Sequence, residues 1–152
     1  MGIFHLFSSR KTRPPVDLED LIYEVAEHQR DSDFHELYSR MKGREVFVPV
    51  VRSSLPLDAK PGQTLTTDSS VSIQVRSGSA PNGQGRLVLC ATRQDSPILE
   101  GAYVGMTWIG LLEMSLKVDP PPWGVLLQGH RSWVAFDLTC VREVLQLASR
   151  TQ

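Results

Sequence analysis

At Gly43 the apolar residues change period, and that change confines the chain to folds in which helices lie against a sheet. Upstream, Leu18, Leu21, Ile22 and Val25 recur at helical spacing, and Phe34, Leu37, Tyr38 and Met41 repeat the pattern at i, i+3, i+4, i+7. Downstream, Glu45–Val51 is rich in β-branched residues. A one-sided helix and a strand each have to bury their apolar side against another element. The spacing predicts a helix capped by Asp17, a polar break at 29–32, and a second helix capped by Asp31 or Ser32. Gly43 closes the second helix as its C′ residue.

Further along, the strand signals are unequal. Pro49 predicts an edge position or a bulge for the first strand, because proline donates nothing to a ladder. Residues 52–70 read as loop, and Val71–Val75 as a half-exposed strand of period two. Ser77–Gly85, with three glycines and an Asn-Gly pair, reads as a mobile hairpin connection. Leu87–Ala91 is continuously apolar and reads as a buried central strand. Thr107 caps a third helix that runs to about Lys117, before Pro120-Pro121-Pro122. Gly124–Leu127 and Ser132–Phe136 are strands joined by a tight turn, and Asp137 caps a closing helix. The order is α-α-β-β-β-α-β-β-α. It predicts an α+β layer fold with a mixed sheet of about five strands flanked by helices.

Composition fits one domain. The chain has 152 residues, 41% of them apolar and 22% charged, with a formal charge of −1. Such a chain buries about 70% of its unfolded surface without metal or disulfide support. Two cysteines are too few for a disulfide scaffold or a four-cysteine zinc site. No apolar run approaches the ~18 residues of a membrane span. The apolar start Met1–Phe7 precedes Arg10, Lys11 and Arg13, the reverse of a secretory signal. Residues 1–15 are expected to be a flexible or lightly docked segment, residues 16–152 one domain, and the location cytoplasmic.

Catalytic signals are weak. Cys90 sits in an apolar strand and reads as core packing. Cys140 lies in the first turn of a helix, where a thiol pKa can fall, yet it too reads as structural. His28 and His35, flanked by Glu24, Glu27 and Glu36, are the only candidate metal cluster, and their spacing is also that of a solvated helix face. Gly78–Gly85 lacks the Gly-Lys-Ser/Thr of a phosphate loop. Arg10, Lys11 and Arg13 are too few for nucleic acid. The expectation is a protein without catalytic residues, metal or cofactor, and with neither nucleic-acid nor membrane binding.

One electrostatic feature remains. Residues 16–42 hold eight acids against three bases. Such a face steers a basic protein partner. The candidate partner-binding residues are Asp20, Glu24, Glu27, Asp31, Asp33 and Glu36, with Trp123, His130 and Arg131 from the loops at 120–133 as anchors.

Two stretches carry a family resemblance. Phe34–Val51 (FHELYSRMKGREVFVPVV) resembles the opening helix and first strand of the SseB N-terminal domain family. Tyr103–Leu145 is similar again, with a short strand, the helix MTWIGLLEMSL, a Gly-Val-Leu-Leu strand, Trp133–Phe136 and the helix DLTCVREVLQL. The chain departs from the family at Gln128-Gly129-His130, where an Asn-Pro-Gly turn is usual, and at its LVLCAT strand. The resemblance implies a bacterial interaction protein, brings no established catalytic mechanism, and, by analogy with related small domains, suggests an immunity partner of a secreted toxin; the acidic helices at 17–42 would face a basic toxin such as a nuclease. A regulatory or small-ligand-sensing domain tied to serine metabolism is the alternative. An enzyme built on His28 and His35 is the third reading.

Overall fold

The computed structural model describes residues 17–56, 60, 73–80, 83 and 85–150. The expectation for residues 1–15 falls outside them, as does most of the loop at 52–70. The described residues form α1 (Leu18–His28), α2 (Asp31–Met41), β1 (Glu45–Val50), β2 (Ser77–Ser79), β3 (Arg86–Ala91), β4 (Ala102–Thr107), α3 (Trp108–Ser115), β5 (Gly124–Gln128), β6 (Trp133–Asp137) and α4 (Leu138–Arg150). The class is α+β: a mixed six-stranded sheet flanked by helices. No helix among the described residues is long and apolar enough to cross a membrane.

Strand order is β4-β1-β3-β5-β6, with β2 also pairing β3. The β3–β5 pair is parallel; the other pairs are antiparallel. The continuously apolar β3 lies at the centre, as its composition predicts.

The four helices among the described residues pack on one face. Val46, Val48, Val88, Cys90, Val125, Leu127, Val134 and Phe136 alternate along four strands and join one core cluster. Every helix contributes to that cluster, for example Ile22 from α1, Leu37 from α2, Trp108 from α3 and Val141 from α4. The opposite face carries a register row Gly105–Phe47–Ala91–Gln128–Trp133 across five strands. The short 3-10 turn Pro97–Leu99 packs against β1 and β3.

Capping follows the sequence in three places. The Thr107 hydroxyl accepts from Gly110 N at 3.1 Å. An Asp137 carboxylate oxygen accepts from Cys140 N at 2.8 Å. Gly43 takes φ +80° after α2. Asp17 sits at the N-cap of α1 without a side-chain cap bond, and the N-cap of α2 is Arg30 and not the expected Asp31 or Ser32, which lie inside the first turn.

Three expectations need correction. First, β1 is neither an edge strand nor bulged. It lies between β4 and β3, and Pro49 stands opposite Tyr103. The Pro49 carbonyl accepts from Arg76 N, so its main chain faces away from β4. On that side β1 meets β3 only at Phe47–Ala91. The missing proline N–H therefore interrupts no strand ladder. Second, residues 73–75 are not a strand. Val75 makes one bridge to Val50, residues 71 and 72 lie outside the described set, and the strand forms at Ser77–Ser79. Third, periodicity omitted β4, which the resemblance placed as a short strand near Tyr103. Gly105 in its middle weakens the local strand signal, whereas pairing along all six residues of β1 secures it.

Candidate interaction surface at the sheet edge

The acidic residues of α1 and α2 are largely engaged with nearby bases. Arg30 bridges Glu24 (3.0 Å) and Asp33 (2.7 Å). Glu24 also meets His28 at 3.3 Å, and Glu36 meets Arg40 at 4.0 Å. These pairs are mostly exposed, and each contributes about 0–1 kcal/mol. They leave Glu27 and Asp31 exposed with no ion pair among the described residues. The six acids are thus not equivalent, and two of them remain open to a partner.

Asp20 and Arg131, read separately from the sequence, bind each other. The Arg131 guanidinium also lies 4.9 Å from the centre of the Tyr23 ring. Beside this pair, Glu19 does what no local pattern announced. One carboxylate oxygen accepts from His130 N and the other from the Thr92 hydroxyl at 2.7 Å. Its partners lie 111 and 73 residues away in sequence. A Cβ on Gly129 would stand 2.7 Å from the Glu19 carboxylate, so a larger residue there would push that side chain aside. Glu19 and Asp20 thus fasten the β5–β6 turn onto α1. Glu19→Ala is expected to cost about 1–3 kcal/mol, as for lost bonds to a charged acceptor. Hydrogen exchange at the His130 amide should accelerate with it. Unchanged exchange and an unchanged melting temperature would show that the turn holds itself.

Trp123 and Trp133 separate. Trp123 is half-buried just before β5; its N–H donates to Arg86 O at 2.7 Å and its carbonyl accepts from Leu138 N. That is a structural role. Trp133 is 49% exposed at the start of β6, an edge strand of the sheet. Ser132 O accepts from Gly129 N, and Leu138 N donates to Trp123 O, so both face the β5 side. Alternation then turns the main-chain groups of Trp133 and Ala135 outward. They have no hydrogen-bond partner among the described residues.

A groove of about 510 Å³ runs along this edge. Val25, Ala26, Glu27 and Phe34 from the α1–α2 corner form one wall, and Trp133 and Ala135 belong to the other. The Ser132 Oγ in its lining is buried without a hydrogen-bond partner. A second cleft, about 410 Å³, opens at the carboxyl ends of β3 and β5, between Thr92, Arg93, Ser96, Gln128 and His130. Arg93 is paired there with Asp95 at 2.8 Å. Ser96 Oγ is buried and unpartnered.

The thiols are held in their neutral forms. Burial pushes the Cys90 thiol well up, and its Sγ lies 3.4 Å from Leu126 O. Cys140 and the Tyr38 hydroxyl share a hydrogen bond of 3.0 Å that ties α2 to α4. Burial raises the Cys140 pKa; the Tyr38 bond opposes this, and the Asp137 and Glu143 carboxylates add to the rise. The helix N-terminus therefore does not activate it. Burial likewise raises Tyr38, with the Cys140 bond next. Among the described residues no group of three or more His, Cys, Asp or Glu side chains is placed to hold a metal ion. His28 meets Glu24, whereas His35 stacks edge-on against Tyr38, with ring centres 6.3 Å apart.

No family model matches the chain, and neither a curated protein nor a solved structure does.

Proposed function

We propose that the chain is a non-catalytic interaction protein whose edge surface, formed by β6 and the α1–α2 corner, binds a cationic protein. The particular case we propose is a bacterial immunity protein that occludes a cognate toxin with a basic surface, such as a nuclease, in the cytoplasm. The observation that carries it is exposed Glu27 beside the groove along the β6 edge, with the half-exposed Trp133 on the other face of that same edge strand. An exposed aromatic on an edge strand, near an acid with no ion pair among the described residues, suits a binding hot spot with electrostatic steering. The resemblance of Phe34–Val51 and Tyr103–Leu145 to the SseB N-terminal domain supports a protein that works by contact.

Size-exclusion chromatography with the product of the adjacent reading frame tests the proposal. Co-elution that weakens with salt is expected. Reversing both free acids, Glu27→Lys with Asp31→Lys, should slow association about tenfold or more. Absence of co-elution with any adjacent product would count heavily against an immunity role.

The second cleft favours one other reading, a sensor of a small ligand. Open α/β sheets take ligands at the carboxyl ends of parallel strands, where Ser96 and Arg93 stand. A thermal shift with serine or a related amino acid, abolished by Arg93→Ala, is its expected signature. A cognate protein binding with no such shift would dismiss it.

A further inference from the structure

The unpaired main chain of β6 says more than that a protein docks nearby. An edge strand with outward N–H and C=O groups is a template for another strand. Natural edges are commonly blocked by proline, a bulge, an inward lysine or a covering helix. Residues Trp133–Asp137 contain no proline or lysine and keep unbroken register with β5. Among the described residues no strand pairs the outer side of β6, where Trp133 and Ala135 border the groove.

The groove also selects its occupant. Its helical wall is apolar at Val25, Ala26 and Phe34 and acidic at Glu27, while the Arg131 that also lines it is already paired with Asp20. An extended chain sends alternate side chains to opposite faces, so apolar residues at every second position would meet Val25 and Phe34. A basic residue near the α1 end would meet Glu27.

We infer that β6 is extended by an added strand from the cationic partner, a segment of alternating apolar and basic residues paired to Trp133 and Ala135. This rests on the proposed function and names the part of the partner that is recognised. The recognition is main-chain pairing for affinity, with Glu27 choosing against acidic segments.

The probe is a synthetic seven-residue peptide of alternating lysine and valine, with glutamate in place of lysine as control. Titrated into the full chain and followed by amide chemical shifts, the lysine peptide should move Trp133, Ala135 and the 25–34 corner. Hydrogen exchange at the Trp133 and Ala135 amides should slow. Ala135→Pro removes an outward N–H without touching the β5 ladder, and should abolish the effect. Glu27→Lys, a surface change that leaves the fold alone, should weaken binding about three- to tenfold. Equal binding of the glutamate peptide, shifts confined to other surfaces, or no binding would overturn the inference. Concentration-dependent shifts at Trp133 and Ala135 without peptide would overturn it in favour of a second copy at the edge. A cognate partner that co-elutes with Ala135→Pro as well as with the wild type would sink strand addition and leave the interaction function standing.

Discussion

Gly124→Ala should strongly destabilise the chain. Gly124 opens β5 opposite Asp137 of β6. A Cβ built on it would clash with Phe136 O and stand 2.8 Å from Asp137 Cα. Both are main-chain atoms of a paired strand, so no side chain can swing aside. Relief requires β5 and β6 to part at the point where α4 begins. That sacrifices pairing and the seat of Phe136 together. Overpacking of this kind costs about 3 kcal/mol or more, against a total stability of roughly 5–15 kcal/mol. Circular dichroism and a thermal melt decide it. A cooperative melt within about 3 °C of wild type, the shift of a ~1 kcal/mol change in a chain this long, would show that the two strands tolerate separation.

Trp108→Ala should cost about 3–5 kcal/mol. Trp108 is 1% exposed and meets Phe136 edge-on, with ring centres 5.7 Å apart. It stands where α3 begins, and its main-chain N–H donates to Arg44 O at 2.8 Å. The ring fills the space between α3, β6 and the other helices, and truncation leaves a cavity that the close-packed neighbours cannot collapse into. Its indole Nε1 is buried without a hydrogen-bond partner. Trp108→Phe, which removes that unsatisfied donor, should therefore cost clearly less than alanine. Chemical denaturation of both variants measures the order. Equal losses would mean that the indole N–H is satisfied in solution.

These two sites differ in what the sequence reveals of them. Trp108 follows the capping threonine and shares a helical face with Leu111 and Leu112, so its burial is legible from spacing. Gly124 carries no such mark. A glycine at the head of an apolar strand looks like an ordinary boundary, and only the approach of Phe136 O makes it indispensable. The candidate surface divides in the same way. The acidity of residues 16–42 is a property of composition, readable at once. That Asp20 is spent on Arg131 is a contact across 111 residues. That Glu27 and Asp31 remain open is likewise invisible before folding.

By itself the sequence determined the elements: two acidic helices, a β-rich stretch after Gly43, the central apolar strand, the caps at Thr107 and Asp137, and hence an α+β class. Those follow from local spacing and backbone preference, which act within a few residues. Only tertiary structure decided the rest. It put β4 on β1, placed Pro49 inside the sheet where its missing donor is harmless, gathered all four helices on one face, and left β6 at the edge beside Glu27. Strand order and edge exposure depend on which distant segments pair, and pairing energy accrues from residues far apart in the chain.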